Sequence, residues 1–399
     1  MHIAILNYIY DAEYTTVDAL LERYLSLTGW ADSLLAAGAQ RVTVLQRFDR
    51  DMDLRRDGVE YLLRRGAGAN RRSWSDPRRL HRAVAALRPD VAHVNGLIFP
   101  AQTWLLRRVL PRESALIVQD HGGPPPAPRN AGGLLRPWRR LRFEIRQAGL
   151  RAADGFMFTT AAQAQPWRAA GLIGPRQPVY EVIESGRPLR PLPQAQARAA
   201  SGLRGDPALL WVGHLDANKD PLTVLAGFER ALPQLPSARL TMVYLGEALL
   251  PAVQACLAAS PALAERVELR GHVPYDLVAA YFSAADIFVL GSHREGSGYA
   301  LIEALTCGAV PVVTDIPSFR ALTAGGSGEI GAACGALWPP GDAEALAAAL
   351  VEIGRRDLAP LRERLIAYAA RELSWSAIGR RALDVYRDVL ARRGDKMTR

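Results

Sequence analysis

Short apolar segments alternate with longer amphipathic segments along almost the whole chain of 399 residues. This alternation is typical of parallel strands that are connected by helices packed on both faces of a sheet. It is interrupted at residues 187–206, where prolines and polar residues indicate a surface linker. Because a chain of this length usually exceeds one hydrophobic core, the sequence predicts an α/β protein with two doubly wound, Rossmann-like domains. The predicted strands are residues 2–7, 41–46, 90–95, 115–120, 154–160, 179–184, 208–213, 239–245, 266–270, 286–290 and 310–314.

The composition excludes several classes of protein. Hydrophobic residues make up 49% and charged residues 22% of the chain, which is the balance of a soluble globular protein. The sequence has no apolar run of about eighteen residues, and its first residues are typical of a buried strand rather than an export signal. Cys256, Cys307 and Cys334 lack the spacing of metal ligands. We therefore expect a reduced, cytoplasmic protein.

Basic residues are distributed unevenly along the chain. The first 200 residues carry a net charge of +11 and the remainder −2, so the net charge of +9 comes from the N-terminal half. A basic N-terminal half suits an anionic acceptor or the inner face of an anionic membrane, although arginines on solvated surfaces would give the same count. Only two of the 49 basic residues are lysines, Lys219 and Lys396. A single interior lysine in an arginine-rich chain indicates a specific role for Lys219.

One glycine-containing segment, residues 292–308, lies between two predicted strands. Gly296 and Gly298 permit a tight turn and a close approach of the backbone to a ligand. A helix that starts here would direct its N-terminal N–H groups and its positive dipole end towards that ligand. A diphosphate is the anion that suits this arrangement best.

Two glutamates, Glu295 and Glu303, are eight residues apart in this segment. A hydrolase with one acidic and one basic carboxylate is one interpretation, but a helical spacing would separate them by about 12 Å along the axis. That distance exceeds the roughly 5–9.5 Å that glycosidase carboxylates need. Two carboxylates at this separation are instead predicted to contact the two ends of one elongated ligand. One end would be the hydroxyls of a sugar, and the other end the hydroxyls of a ribose. Ordinary helix glutamates are the alternative.

A second segment, residues 210–221, begins as a strand and ends at the start of a helix. Gly213 marks the end of the strand, and Asp220 followed by Pro221 is a typical helix cap and first turn. Lys219 is therefore placed just before a helix N-terminus. An ammonium group there would neutralise the charge that grows on a departing diphosphate, which is a large catalytic contribution. A solvated loop lysine is the alternative.

These two segments resemble those of retaining glycosyltransferase family 4, the glycosyl transferases group 1, which have the GT-B architecture. The family signature E-G-(aromatic)-G-x-x-x-x-E is matched from Glu295 to Glu303, and the G-R-L-x-x-x-K hallmark is met by Gly213 and Lys219. The resemblance is strong over residues 207–390. It implies two Rossmann-like domains that face a central cleft. It also implies transfer of a sugar from a nucleotide diphosphate donor to an acceptor, with retention of anomeric configuration.

We place the domain boundaries at the linker and before the last helix. The N-terminal, acceptor-binding domain would span residues 1–188 and the C-terminal, nucleotide-sugar-binding domain residues 189–373. Residues 374–399 would form a helix that crosses back to the N-terminal domain.

The resemblance implies roles for individual residues. Glu295 would bind hydroxyls of the donor sugar, Glu303 the ribose hydroxyls, and Lys219 the diphosphate. His121, which follows a predicted strand, would lie beside the transferred sugar, so that His121, Lys219 and Glu295 are the candidate catalytic residues. No cofactor or obligatory metal is implied. The candidate donor-binding residues are Gly213, His214, Lys219, His272, Val273, Glu295, Gly296, Ser297, Gly298, Tyr299 and Glu303.

The chain differs from the family pattern at three places. His214 replaces an arginine that usually accompanies the lysine, Ser297 replaces an aromatic residue, and the loop at residues 7–11 lacks the usual glycines. These differences leave open a second hypothesis, a nucleotide-sugar-binding module that supports a partner without transfer. A third hypothesis is a GT-B sugar-nucleotide epimerase, which would need acid–base residues at the anomeric carbon rather than this pair of glutamates.

Other patterns are less specific. Asp49, Asp51 and Asp53 have the D-x-D spacing of metal-dependent transferases, but the arginines around them would compete with a metal ion, so we predict no metal site. His93 and Asn95 end a predicted strand and are candidates for the acceptor side, although a packed strand histidine would have the same pattern.

Residues 134–143 mix arginines with apolar and aromatic residues. This segment is consistent with docking on an anionic bilayer, with binding of an acceptor phosphate, or with an ordinary amphipathic helix. The sequence contains no recognised nucleic-acid-binding module, so we expect no nucleic acid partner. The sugar, the base, the acceptor and the oligomeric state stay open.

Overall fold

The computed structural model divides the chain into two compact units. The N-terminal unit comprises Met1–Glu184 and Trp375–Arg399, and the C-terminal unit comprises Ser185–Ser374. The boundaries expected from the sequence were residues 188 and 373, and residues 185–188 lie outside the described part of the chain. The structure describes residues 1–65, 77–123, 136–184, 189–324 and 335–397.

The strands predicted from the sequence are all present, together with three that were not predicted: the charged β3, the partly buried β4 and the short β14. Within the described ranges they are β1 His2–Asn7, β2 Arg41–Phe48, β3 Met52–Arg56, β4 Val59–Arg65, β5 Val91–Asn95, β6 Ala115–Gln119, β7 Gly155–Phe158, β8 Val179–Glu181, β9 Ala208–His214, β10 Arg239–Leu245, β11 Val267–Gly271, β12 Ile287–Leu290, β13 Val310–Thr314 and β14 Ala336–Trp338.

Helices connect most of these strands. A π-helical turn, Ala369–Leu373, directly precedes the last helix. The helices of the described residues are α1 Val17–Arg23, α2 Leu25–Ala36, α3 Arg78–Leu87, α4 Pro100–Val109, α5 Arg136–Arg151, α6 Ala161–Ala169, α7 Gln194–Ser201, α8 Pro221–Ala231, α9 Leu250–Ala259, α10 Pro261–Arg266, α11 Tyr275–Ala284, α12 Tyr299–Cys307, α13 Pro317–Ala324, α14 Ala343–Gly354, α15 Ala359–Tyr368 and α16 Trp375–Met397. No helix in the described ranges is long and apolar enough to cross a bilayer.

The sheet of the N-terminal unit has the strand order β3-β4-β2-β1-β5-β6-β7-β8. Its strands are parallel except for β3, which pairs with β4 in the antiparallel sense. The chain passes from β1 to β2 on one side and later returns to β5 on the other side. The carboxyl ends of β1 and β5 therefore form a topological switch point, where open parallel sheets bind ligands.

Both faces of this sheet are covered, because alternate residues of a strand point to opposite faces. Ile3 of β1 belongs to a core that includes Trp30 of α2 and Tyr386 of α16. Leu6 of the same strand belongs to a second core, on which Leu106 of α4 packs. The terminal helix α16 is thus an integral part of the N-terminal unit.

The sheet of the C-terminal unit is parallel throughout, with the strand order β11-β10-β9-β12-β13-β14. Its switch point lies between β9 and β12, which are neighbours in the sheet but are separated by two other strands along the chain. The two motif segments follow these two strands directly. The topology thus brings together residues that lie about 76 positions apart, as Lys219 and Glu295 do.

Candidate functional site

Two loops meet at the switch point of the C-terminal unit. The first joins β9 to α8, and the second joins β12 to α12. His293 N donates to Asn218 O at 2.8 Å, and Asn218 Nδ2 donates to Arg294 O at 2.9 Å. A Cβ atom on Gly291 would lie 3.0 Å from Asp220 O and 3.1 Å from Lys219 O. Glycine at this position therefore permits the close contact between the two loops.

The predicted donor residues Lys219 and Glu295 form an ion pair. Lys219 Nζ donates to Glu295 Oε1, and Ser292 Oγ donates to the same oxygen at 2.7 Å. The two side chains are mostly buried, with 16% and 13% of their surface exposed. A Cβ atom on Gly213 would lie 3.4–3.5 Å from the Lys219 side-chain carbons. These are ordinary van der Waals distances, and they place the lysine side chain beside Gly213 near the end of β9.

The backbone around the lysine is also fixed. Asp216 Oδ1 accepts a hydrogen bond from Lys219 N at 2.9 Å. Asp220 caps α8, as predicted, by accepting from Thr223 N at 3.2 Å. Its second oxygen lies 3.0 Å from His293 Nε2. Asp216, Ser292 and His293 lie inside the two segments, but the sequence offered no signal for them. Each is a common polar loop residue and occupies no fixed position of the family patterns.

Helix α12 starts at Tyr299, with Gly298 as its N-cap at φ +71°. A Cβ atom on Gly298 would lie only 2.9 Å from Phe319 Cε1. Ser297 is buried and Tyr299 is 39% exposed. The positive end of the helix dipole is therefore at the residues that the sequence assigned to diphosphate binding. Gly296 lies in the loop just before them.

The assumption of a continuous helix from Glu295 to Glu303 is wrong. Glu295 lies in the loop, and only Glu303, in the second turn of α12, is helical. The axial separation of about 12 Å derived from a helical rise therefore does not apply. Glu303 is half-buried near Cys307, and burial, with a contribution from the Glu303 charge, raises the pKa of that thiol to about 11.

The remaining predicted donor residues lie at carboxyl ends of strands in the same sheet. His214 ends β9 and is exposed, with its Nδ1 about 3.1 Å from where a Cβ of Gly246 would be. His272 is exposed and Val273 is buried, and both follow β11. Since β11 is an edge strand two positions from β9, the structure places these two residues to one side of the ion pair.

His121 of the N-terminal unit lies two residues after β6. Its Nδ1 is 2.8 Å from Oε2 of Glu184, a buried residue that follows β8. Burial opposes protonation of His121, but the charge and the hydrogen bond of Glu184 outweigh it, so the pKa of His121 is raised. Asp120, whose pKa is raised by burial, is adjacent. Sequence reasoning missed Glu184, because a single acidic residue near the linker matched no motif.

His93 is fully buried. Its Nδ1 lies 2.5 Å from the Tyr386 hydroxyl, and its ring makes an edge contact with Trp30 at 5.6 Å between centroids. These contacts fit a packed strand histidine better than direct contact with an acceptor. Asn95 is half-buried at the carboxyl end of β5, opposite Gln119 in the sheet register.

The D-x-D carboxylates are engaged by arginines. Asp49 pairs with Arg50 at 3.1 Å, Asp51 with Arg79 at 3.1 Å, and Asp53 with Arg64. Of these three arginines, Arg50 neighbours the D-x-D residues in sequence, whereas Arg64 lies in β4 and Arg79 in α3. Among the residues that the structure describes, no cluster of three or more metal-ligating side chains occurs.

Two family models match the chain, one within each unit. Residues 27–180 match Glycosyltransferase Family 4, and residues 206–355 match Glycosyl transferases group 1. The chain thus contains a region of each of these two glycosyltransferase families. The resemblance that the sequence showed in the two donor segments is confirmed, and it extends to the N-terminal half.

Individual relatives agree with this family. A D-inositol 3-phosphate glycosyltransferase of Thermobispora bispora is 31% identical over 213 residues, which are 51% of this chain and 48% of the relative. A GDP-mannose:cellobiosyl-diphosphopolyprenol alpha-mannosyltransferase of Xanthomonas oryzae pv. oryzae is 29% identical over 185 residues, which are 46% of this chain and 47% of the relative. The matches thus span about half the length of these curated relatives.

A solved structure resembles the chain over nearly its full length. Sucrose-phosphate synthase from Thermosynechococcus elongatus superposes with a TM-score of 0.65 at 20% identity, covering 98% of this chain and 99% of that one. The likeness concerns the fold. The predicted class, GT-B with two Rossmann-like α/β domains, is confirmed.

Proposed function

We propose that this glycosyltransferase-family protein moves a sugar from a nucleotide diphosphate donor to an acceptor, with retention of configuration at the anomeric carbon. The C-terminal unit would bind the donor and the N-terminal unit the acceptor. The observation that carries the proposal is the Lys219–Glu295 ion pair next to the start of α12, at the switch point of a parallel sheet. Two relatives that are named as glycosyltransferases support it.

Binding of the donor would separate the ion pair. Lys219 would turn to the diphosphate, and Glu295 would accept hydrogen bonds from sugar hydroxyls. Ser292 Oγ, which already donates to Glu295 Oε1, would keep that carboxylate in place. A mostly buried charge without a partner is unfavourable, so each charge needs a polar group of the donor in exchange. A sugar diphosphate offers both groups in one molecule.

The proposed reaction breaks the bond between the anomeric carbon and the β-phosphate oxygen, and the electron pair stays on that oxygen. Lys219 and the N–H groups at the start of α12 would stabilise the resulting charge. The acceptor hydroxyl forms the new bond on the same face of the sugar, and its proton goes to the departing phosphate oxygen. These protein groups supply the positive charge, so we propose no obligatory metal.

A phosphate-bearing acceptor at an anionic membrane surface suits the N-terminal unit. The names of both relatives include a phosphorylated acceptor, inositol 3-phosphate in one and a diphosphopolyprenol in the other. Helix α5 exposes Trp138 by 68% and Leu141 by 51%, beside the exposed Arg140 and Arg142. Exposed aromatic and aliphatic side chains among arginines favour anionic bilayers.

Calorimetric titration with UDP, GDP, ADP and TDP would identify the base, and NMR of the product from the preferred donor would give its configuration. We expect one nucleotide to bind and a retained anomer to form on a phosphorylated acceptor. An inverted product would contradict the mechanism. Binding without hydrolysis or transfer across soluble and lipid-linked acceptors would favour the supporting module, and an epimer formed from donor alone would favour the epimerase.

Vesicle flotation tests the membrane part separately. The protein should float with phosphatidylglycerol vesicles and not with phosphatidylcholine vesicles, and Trp138→Ser should abolish flotation. Leu337→Ser, which changes an apolar side chain of the C-terminal unit that is 37% exposed, is the matched control and should float like the wild type. Equal flotation of both variants would contradict this part of the proposal.

A further inference from the structure

A second side-chain contact joins the two loops at the switch point of the C-terminal unit. His293 Nε2 lies 3.0 Å from Asp220 Oδ2. Asp220 directly follows Lys219 in the β9–α8 loop, and His293 precedes Glu295 by two residues in the β12–α12 loop. The ion pair and the Asp220–His293 bond therefore connect neighbouring positions of the same two loops.

The backbone at Asp220 depends on its side chain. Asp220 has φ +43° and ψ +58°, a left-handed conformation that is unfavourable for a residue with a Cβ atom. Such a conformation persists only where the surrounding structure fixes it. Both oxygens of the carboxylate accept a hydrogen bond, Oδ1 from Thr223 N at 3.2 Å and Oδ2 from His293 Nε2. These two bonds therefore fix the turn that comes immediately after Lys219.

The loops are also joined by contacts of Asn218. His293 N donates to Asn218 O at 2.8 Å, and Asn218 Nδ2 donates to Arg294 O at 2.9 Å. Neither these bonds nor the Asp220–His293 bond involves the ammonium of Lys219 or the carboxylate of Glu295. The loops therefore keep these connections when a ligand replaces the two partners of the ion pair.

The exposure of His293 argues against a role in the core. Its side chain is 46% exposed, whereas that of Asp220 is 18% exposed. Exposed contacts of this kind contribute little to the stability of the whole fold. The consequence of the bond is instead local, because it constrains the residue next to Lys219 and a residue close to Glu295.

We propose that Asp220 and His293 are positioning residues, which hold the two loops in register so that Lys219 and Glu295 meet. This proposal deepens the proposed function and rests on it for the ligand that separates the ion pair. After that exchange, the Asp220–His293 bond keeps the ammonium and the carboxylate at a fixed spacing. A misplacement of about 1 Å can cost roughly 10²-fold in rate, so the spacing affects transfer.

The chain has only two lysines, Lys219 and Lys396, which permits a direct test without a substrate. NMR of the full chain, isotope-labelled at the lysine side chains, should give two ammonium signals, and Lys396→Arg identifies the signal of Lys219. Glu295→Gln gives the position of this signal without the carboxylate. In His293→Ala we expect the Lys219 signal to move towards that position. His293→Gln, whose amide nitrogen can donate to Asp220 in place of Nε2, should restore the wild-type position.

Arg320→Ala is the matched control. Arg320 pairs with Asp315, which directly follows the neighbouring strand β13, so this variant also removes a contact with a carboxylate at the same edge of the sheet. It leaves both loops unchanged, and the Lys219 signal should keep its wild-type position. An unmoved Lys219 signal in His293→Ala, or an equal movement in Arg320→Ala, would overturn the proposal.

Thermal unfolding and kinetics separate positioning from stability. His293→Ala should unfold close to the wild-type temperature, while its kcat/KM falls about tenfold, a part of the loss that a misplacement of about 1 Å causes. His293→Gln should recover most of this loss, and an unchanged kcat/KM in His293→Ala would count against the proposal. If His293→Ala does not fold, Asn218→Ala, which removes the bond to Arg294 O, should move the Lys219 signal in the same direction. Because the NMR arms use no substrate, a wild type without transfer would contradict the proposed function alone.

Discussion

The candidate clusters of the two units hold their ionisable groups in different ways. In the C-terminal unit, Lys219 and Glu295 lie on two loops and pair with each other. In the proposed function, a ligand with one anionic and one hydroxyl-bearing part replaces both partners. In the N-terminal unit, His121 pairs with Glu184, whose side chain is only 5% exposed. The proposed function thus requires the first cluster to exchange partners, whereas the second can keep its own.

Lys219→Ala is the variant with the largest expected effect on activity. Loss of a major stabiliser of developing charge costs about 10²- to 10³-fold in kcat. The variant also leaves the mostly buried Glu295 carboxylate without its ion-pair partner, so the free energy of unfolding should fall as well. Steady-state kinetics with the preferred donor, together with thermal unfolding, would measure both properties. We expect the loss in kcat rather than in KM, because the proposed role of the Lys219 ammonium is to stabilise the departing diphosphate.

The control for this variant is Arg230→Ala in the same unit. Arg230 pairs with Glu344 at 3.4 Å across an exposed surface, and such pairs contribute little. We expect wild-type kinetics for this control. If Lys219→Ala turned over as fast as the control, the ion pair would be a structural feature only, and the contrast between the two clusters would fail.

The C-terminal cluster was readable from sequence because its residues lie in short segments with fixed spacing. The segments 210–221 and 287–308 each contain a strand end, a loop and a helix start, and the sheet topology then brings them together. The exact start of α12 was not readable, since it depends on the positive φ of Gly298 and its contact with Phe319. Local spacing thus predicts which residues meet but not their separation.

The N-terminal cluster was only partly readable for the opposite reason. His121 follows a strand and was predicted, but its partner Glu184 is 63 residues away, and Tyr386 is 293 residues from His93. Single residues at such separations leave no local pattern. The β3–β4 pair was also missed. β3 is a charged, mostly exposed edge strand without apolar alternation, whereas the alternation of Val59, Tyr61 and Leu63 could have indicated β4.

Gly298→Ala tests whether the C-terminal cluster depends on the backbone conformation of Gly298 at the start of α12. Alanine disfavours a φ of +71°, and its Cβ would lie 2.9 Å from a Phe319 ring carbon. We expect a loss of about 2 kcal/mol in the free energy of unfolding, with weaker nucleotide binding. Gly123→Ala, where a Cβ would meet nothing within 4 Å, should leave stability unchanged in denaturant titrations. Equal stability of the two variants would show that the turn tolerates a side chain.

Glu184→Gln tests the buried partner and has the smallest expected effect. The pKa of His121 is raised in the folded protein. The pairing of His121 with Glu184 therefore contributes its full stabilisation at pH values below the ordinary histidine pKa of about 6.5. That stabilisation is lost as the pH rises through the raised value. The free energy of unfolding of the wild type should exceed that of Glu184→Gln by about 1 kcal/mol at pH 6, a modest figure because His121 is 30% exposed.

Between pH 6 and pH 9 that difference should shrink, because neutral His121 no longer gains from the carboxylate. Glu181→Gln is the control, since Glu181 accepts from Ala161 N and contacts no histidine in the hydrogen bonds of the described residues. Its stability difference from the wild type should not change over the same pH range. A difference for Glu184→Gln that is equally constant would mean that His121 is neutral throughout. Neutral His121 would then donate a hydrogen bond to Glu184. The role of Glu184 would be to fix the tautomer of His121 rather than to stabilise its positive charge.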